Sequence, residues 1–130
     1  SLKDENMITR IAATALSVFL FAGPTIASAG EADVVKVEIR KEGARTYSFS
    51  VTLAHGDVGW KHYADAWEVV GPDGTVLGKR VLFHPHVNEQ PFTRSLGGVK
   101  IPAGVAKVTL RAHDLVHGTG GKVMTVVVPE

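Results

Sequence analysis

The chain has 130 residues and a formal net charge of +1 at neutral pH, with 14 lysines and arginines against 13 aspartates and glutamates. This balance leaves no basic surface of the kind that nucleic acids require, so nucleic acid is not an expected partner. The sequence contains no cysteine, which excludes disulfide bonds, thiolate catalysis and cysteine-ligated metal sites. The six histidines all follow residue 54, and they are therefore the main candidates for ligand chemistry.

The first 29 residues have the pattern of an export signal. A positive charge at Arg10 precedes the apolar run IAATALSVFLFA, and residues 27–29 (Ala-Ser-Ala) fit the small-x-small rule for cleavage. We therefore predict a signal peptide with its upstream residues at 1–29, cleavage after Ala29, and a periplasmic or secreted domain at 30–130. A membrane anchor is the alternative. The apolar run holds about a dozen residues, fewer than the ~20 that span a bilayer, so no membrane span is expected after cleavage.

The rest of the chain contains seven stretches that predict β-strands. In most of them apolar and polar side chains alternate, which is the pattern of a strand with one buried face. In chain order the stretches are VVKVEIR, YSFSVTL, AWEVV, TVLGKRVLF, FTRSL, AKVTLRAH and KVMTVVV. The sequence GPDG at 71–74 is a strong turn signal. No stretch after Ala29 has the periodicity of an amphipathic helix of ordinary length.

Seven short strands separated by turns, in about a hundred residues, predict an all-β fold. We expect one domain with the architecture of a seven-stranded antiparallel immunoglobulin-like β-sandwich. Trp67 on the third strand is the expected anchor of its core. The side chains predicted to point inward are Tyr47, Phe49, Val51, Trp67, Val69, Val108 and Leu110.

The histidines are grouped at the ends of the predicted strands. They are His55 after the second strand, His62 before the third, His84 and His86 at the end of the fourth, and His113 and His117 at the end of the sixth. Because alternate strands of such a sandwich tend to end at the same pole, we expect these residues to converge on loops at one end of the domain. The stretch AHDLVHG at 112–118 alone carries two histidines and an aspartate.

This pattern predicts a metal site. Imidazole is the commonest protein ligand for iron, copper and zinc, and with one methionine after the export segment a soft Cu(I) site is not favoured. A nitrogen-rich site for Fe(II), Cu(II) or Zn(II) fits better. Metal–nitrogen bonds of ~2.0–2.1 Å would place the ligand nitrogens within roughly 5 Å of a common point. From the pattern alone all six histidines are candidate ligands, and the sequence leaves open which of His84, His86 and His113 completes the site.

Three stretches resemble the desulfoferrodoxin and superoxide reductase family. KHYADAWEVVGPDGTVLGKR is similar to the family's segment in which His-Tyr precedes a tryptophan-containing strand and a short turn. LFHPHVNEQPFT is similar to the next strand and loop, with its spaced prolines and following phenylalanine, and RAHDLVHG is similar to the last ligand loop. The three stretches occur in the family's order over roughly residues 55–118, which is most of the predicted mature domain.

The resemblance implies an immunoglobulin-like sandwich in which four imidazoles surround a ferrous iron, a cysteine thiolate binds on the axial side, and superoxide is reduced at the open position. His55 and His62 match two of these imidazoles with one extra residue between them, and His117 matches the last. Asp114 falls at the cysteine position, and the family's N-terminal histidine and lysine have no counterpart. Metal binding therefore carries over more directly than superoxide reduction, because a carboxylate is a harder and weaker donor than a thiolate. With the histidine pattern, the resemblance implies iron as the metal, with copper or zinc as alternatives. The predicted ligands are then His55, His62, His86, Asp114 and His117.

Three classes of function stay open. The first is an exported metal-binding protein with redox chemistry, whose partners would be a small oxidant and an electron donor. The second is a non-catalytic metal carrier or sensor. The third is a metal-free interaction module in which Glu89, Gln90 and Arg94 contact a partner. The sequence does not decide whether the chain is an enzyme.

Overall fold

The structure is a computed structural model that describes residues 30–130. The predicted export segment at 1–29 lies outside the described residues. The strands are β1 (Asp33–Gly43), β2 (Thr46–Ala54), β3 (Ala64–Val70), β4 (Val76–Val81), β5 (Phe92–Lys100), β6 (Lys107–Asp114) and β7 (Met124–Val127). The described range contains no helix, and so none that is long and apolar enough to cross a membrane.

The strands form two antiparallel sheets. One sheet has three strands in the order β1-β2-β5, and the other has four in the order β4-β3-β6-β7. The chain changes sheet between β2 and β3, between β4 and β5, and between β5 and β6. The predicted all-β, seven-stranded antiparallel sandwich is thus confirmed.

The core lies between the inner faces of the two sheets. Burial alternates along the whole of β2, as its apolar-polar pattern predicts, and Trp67 on β3 is completely buried. All seven residues predicted for the core are buried. Full burial of one such apolar side chain stabilises the fold by ~1.5–3 kcal/mol. Among the described residues, the buried members of the core cluster lie between Ala32 and Val128.

Two loops meet at the pole where β2 and β6 end. The loop that leaves β2 crosses to the other sheet and enters β3 at Ala64, which pairs with Asp114 at the end of β6. The loop after β6 is held to the first one by a hydrogen bond of 3.2 Å from the Leu115 N–H to the Tyr63 carbonyl oxygen. The strand ends therefore place both loops, and the histidines on them, at one end of the sandwich.

Candidate metal centre

The loop between β2 and β3 begins with His55, whose side chain is completely buried. His55 Nδ1 contacts Asp57 Oδ1. The same carboxylate accepts hydrogen bonds from the backbone N–H groups of Ala64, at 3.1 Å, and His86, at 2.7 Å. Because a carboxylate only accepts hydrogen bonds, Nδ1 of His55 carries a proton. Its Nε2 is therefore the nitrogen that is available to bind a metal ion.

Asp114 is the last residue of β6, and its side chain is also completely buried. Its Oδ1 accepts hydrogen bonds from the backbone N–H groups of Val116, at 2.8 Å, and His117, at 2.6 Å. Its Oδ2 has no hydrogen-bond partner among residues 30–130. Burial alone would raise the pKa of Asp114, but these two N–H groups, with His55 and His117 nearby, hold the pKa below its usual value. The chain thus keeps a buried carboxylate charged with one oxygen unpaired.

Imidazole and carboxylate groups converge at this pole. The ligand atoms of His55, His62 and Asp114 all lie within 4.8 Å of one another. The two Nε2 atoms are 3.3 Å apart. Asp114 Oδ2 is 3.6 Å from Nε2 of His55, and Asp114 Oδ1 is 3.3 Å from Nε2 of His62. The backbone carbonyl oxygen of Gly30 lies 3.2 and 3.1 Å from the same two nitrogens. This group could hold a metal ion.

The distances of 3.3 and 3.6 Å between individual atoms of the group are close to those of atoms that share one ion. Bonds of ~2.0–2.1 Å place neighbouring ligand atoms about 2.9 Å apart in octahedral geometry and about 3.4 Å apart in tetrahedral geometry. The group also has more hydrogen-bond acceptors than donors. The Nε2 lone pair of His55, the Asp114 carboxylate and the Gly30 carbonyl face one another. A proton on Nε2 would satisfy one of these contacts, whereas a cation would satisfy all of them.

His117 lies beside the group and not within it. Its ring centroid is 5.1 Å from that of His62, and its Nδ1 is 3.5 Å from Asp114 Oδ1. Its side chain is 38% exposed, so the ring has room to turn. The structure therefore places His117 at the edge of the predicted site, and its role as a ligand stays a prediction.

The structure does not bring His86 into the group. Its ring stacks on Phe92 with centroids 3.9 Å apart, and its Nε2 accepts a hydrogen bond of 3.0 Å from Arg94. Desolvation by burial lowers the pKa of His86, and the charges of Arg94 and His84 lower it further. The lone pair of its Nε2 is thus already engaged. Its backbone is connected to the site through Asp57, which accepts the His86 N–H, and through Gln90, which donates to the His86 carbonyl oxygen and accepts the N–H of His55.

The other two histidines considered for the site lie elsewhere. His84 is exposed, and its Nδ1 is 3.2 Å from the carbonyl oxygen of Pro85. His113 pairs with Asp65 at 2.5 Å between Nδ1 and Oδ1, on partly exposed side chains of β6 and β3. Of the three histidines left open by the sequence, none belongs to the group that the described residues form.

Two residues of the site were not predicted from the sequence. Asp57 lies two positions after His55, and this spacing is a usable signal, because ligand histidines commonly donate their second N–H to a carboxylate. Gly30 contributes a backbone carbonyl, which every residue carries. Nothing in its identity as a glycine pointed to a contact with His55 and His62.

The comparisons with known proteins give one relative and no family. The chain is 46% identical over 96 residues to a protein of Halomicrobium mukohataei that is provisionally named a lipoprotein. The match covers 74% of this chain and 47% of that protein, so the chain spans about half the length of the curated relative it matches. No protein-family model matches the chain. No solved structure matches it significantly.

Proposed function

We propose that this chain is an exported β-sandwich protein that binds a divalent transition-metal ion at the pole where β2 and β6 end. The observation that carries the proposal is the buried Oδ2 of Asp114, which faces Nε2 of His55 and lacks a donor among the described residues. An unsatisfied buried polar group costs about 1–3 kcal/mol, and a bound cation removes that cost.

Export is supported by two separate observations. The sequence at 1–29 has the pattern of a signal peptide, and the relative in Halomicrobium mukohataei bears the name of a lipoprotein. Lipid attachment is not part of the proposal, because the 130 residues include no cysteine. The proposed location is periplasmic or secreted.

The donor set favours iron. Two imidazoles and one carboxylate are the ligands of mononuclear non-haem Fe(II) sites, in which further coordination positions stay open. The same combination binds zinc in several hydrolytic enzymes. We therefore propose iron as the first candidate metal, with zinc and copper as alternatives, held by His55, His62 and Asp114, with His117 at the edge.

A redox role is the finer part of the proposal. The His62 side chain is 21% exposed, so an ion bound there stays within reach of a small oxidant such as superoxide, with an electron donor as the second partner. The resemblance to superoxide reductases stays a prediction. A non-catalytic carrier or sensor is the second candidate, and the carboxylate that stands in place of the family's thiolate favours it.

Thermal melting tests metal binding. The metal-stripped protein is heated with and without Fe(II), Zn(II) or Cu(II). A ligand at a hundredfold excess over its Kd stabilises the fold by about 2.7 kcal/mol, which should raise the melting temperature by roughly 10 °C or more at ~4–8 °C per kcal/mol. The rise should be present at about pH 7.5 and fade at about pH 5, because protons compete for imidazoles whose usual pKa is ~6.5.

Variants locate the effect. We expect His62→Ala to abolish the rise and His117→Ala to reduce it, while Lys107→Ala on the surface should respond like the parent. If no metal raises the melting temperature near neutral pH, or if His62→Ala responds like the parent, the metal proposal fails and the interaction module is the better reading. Consumption of superoxide by the iron-loaded protein then separates a redox role from a carrier.

A further inference from the structure

Gly30, the first described residue, lies inside the proposed metal centre. Its carbonyl oxygen is 3.2 Å from Nε2 of His55 and 3.1 Å from Nε2 of His62. Its backbone has a φ of +107°, and a Cβ at this position would lie 2.7 Å from Cε1 and 3.1 Å from Nε2 of His117. The left-handed backbone at this position favours glycine, and a larger residue would also require the His117 ring to turn. The chain thus packs its backbone closely against three histidines.

Each of these contacts is a hydrogen bond only when the Nε2 atom concerned carries a proton. Asp57 contacts Nδ1 of His55, so in the tautomer with a single proton on Nδ1 the Nε2 atom presents a lone pair to the lone pairs of the Gly30 carbonyl. The distances from this carbonyl to the two imidazole nitrogens also match the 3.3 Å that separates those nitrogens from each other. The Gly30 oxygen thus occupies a position equivalent to that of a further ligand around the same ion.

We propose that Gly30 is a backbone ligand of this metal and that removal of the export segment completes it; the inference rests on the metal-binding function proposed above. Cleavage is predicted after Ala29, which makes Gly30 the first residue of the mature chain. One water molecule hydrolyses the Ala29–Gly30 bond, leaving a carboxyl group on Ala29 and an amino group on Gly30. Amino nitrogen and carbonyl oxygen of one residue are joined through two carbon atoms, so both can bind one ion in a five-membered ring.

Processing would then control metal loading. Before cleavage the nitrogen of Gly30 is an amide, whose lone pair is delocalised into the carbonyl group and is a poor metal ligand. After cleavage it is an amine with a free lone pair. Among the described residues the core cluster lies between Ala32 and Val128, so Gly30 contributes to the ligand set and not to that cluster. The precursor binds metal weakly, and the exported chain binds it tightly.

Three chains test this proposal with Zn(II) as the probe. The first begins at Gly30 with a free amine, the second begins at Ser28, and the third begins at residue 30 and carries Gly30→Ala. Competition with a chromophoric chelator should give an affinity for the first chain that is about tenfold or more higher than for the other two, because a linked second donor binds at high effective concentration. Gly43→Ala in the first chain is the matched control, since a Cβ at Gly43 meets nothing within 4 Å.

A second readout follows the amine itself. Saturating Zn(II) should protect the amino group of the first chain from acetylation, and His62→Ala should remove the protection. Equal affinities of the chains that begin at Gly30 and Ser28, or acetylation unaffected by Zn(II) in a chain that binds it, would overturn the Gly30 inference and leave the metal site standing. If none of the chains binds Zn(II), Fe(II) or Cu(II), both proposals are overturned together.

Discussion

The two poles of the sandwich both collect polar groups, but they balance donors and acceptors differently. At the pole where β2 begins, the Arg45 guanidinium donates a hydrogen bond of 3.5 Å to the Tyr47 hydroxyl and three to backbone carbonyl groups, of 2.9, 2.7 and 3.1 Å. The carbonyl acceptors are those of Ile101, Pro102 and Val105. Arginine has hydrogen-bond donors only, and the protein supplies acceptors for them. The polar groups at this pole are therefore paired without a bound ion.

The pole where β2 ends has the opposite balance. Nε2 of His55, the Asp114 carboxylate and the Gly30 carbonyl face one another with too few protons between them. The comparison teaches that the number of polar side chains does not identify a ligand site. A cluster in which donors match acceptors stabilises the fold by itself, whereas a buried cluster with surplus acceptors is complete only when a cation enters from outside.

The largest effect on the free energy of unfolding is expected at the pole where β2 begins. Arg45→Ala removes the charged hydrogen bonds to three backbone carbonyl groups and leaves these acceptors partly buried, so the free energy of unfolding should fall by about 2–3 kcal/mol. Urea unfolding measures the loss, which should be the same with and without Zn(II). Arg40→Ala, on an exposed position of β1, is the matched control. A loss that disappears when metal is added would mean that the two poles are coupled and the comparison does not hold.

The next effect concerns Asp57, which orients a proposed ligand without being one. Asp57→Asn removes the negative charge that fixes the ring and the tautomer of His55, so Zn(II) affinity should fall about 10–100-fold. This corresponds to about 1.4–2.7 kcal/mol. Competition with a chelator measures the change. The control is Asp65→Asn, which alters the other aspartate–histidine pair, that with His113. Equal losses in both variants would indicate a general effect of charge and not a positioning role.

The fold follows from short-range patterns, and this is why the sequence predicts it. Alternation along β2 requires one face of the strand to be buried, and the structure buries Tyr47, Phe49 and Val51 accordingly. The strand ends then place His55, His62 and Asp114 at one pole, because antiparallel neighbours bring alternate ends together. Nothing beyond the period of two and the positions of the turns was needed for either result.

The rest of the site depends on contacts that leave no periodic signal. His86 was predicted as a ligand because it lies at a strand end like the others. Its ring is engaged instead by Phe92 and Arg94, six and eight residues further along the chain, and spacing alone does not predict such a contact. Gly30 was not predicted because a carbonyl group contributes to a site through its position, and its side chain carries no information.

A smaller effect is expected at Asp114. Asp114→Asn keeps Oδ1 as the acceptor for the N–H groups of Val116 and His117, but it removes the charge that these N–H groups, with His55 and His117, stabilise in the folded chain. The metal-free protein should therefore become less stable by about 1 kcal/mol. The melting temperature should no longer rise with Zn(II), because the charged ligand is lost. Melting curves with and without metal measure both changes.

Asp114→Ala is the control for this variant. It removes the acceptor of both backbone hydrogen bonds, so it should be less stable than the parent and also fail to respond to Zn(II). If the melting temperature of Asp114→Asn rises with Zn(II) as much as that of the parent, then the Asp114 carboxylate does not bind the ion, and the surplus of acceptors does not distinguish this pole.

The smallest effect is the pH dependence that His86 contributes. Burial, and then the charges of Arg94 and His84, lower its pKa in the folded chain, while Asp57 and Glu89 act in the other direction. Below the usual pKa of ~6.5, His86 of the unfolded chain takes up a proton that His86 of the folded chain does not. The contribution of His86 to the free energy of unfolding is therefore fully present above pH ~6.5, and it declines as the pH falls toward the lowered pKa of the folded chain.

Urea unfolding of the metal-free protein near pH 7.5, 6.5 and 5.5 measures this decline. His86→Gln should flatten it, and His84→Gln, which removes a lesser cause of the shift, should flatten it less. If the stability of His86→Gln declines as steeply as that of the parent, the pH dependence comes from the proposed ligand histidines at the pole where β2 ends and not from His86.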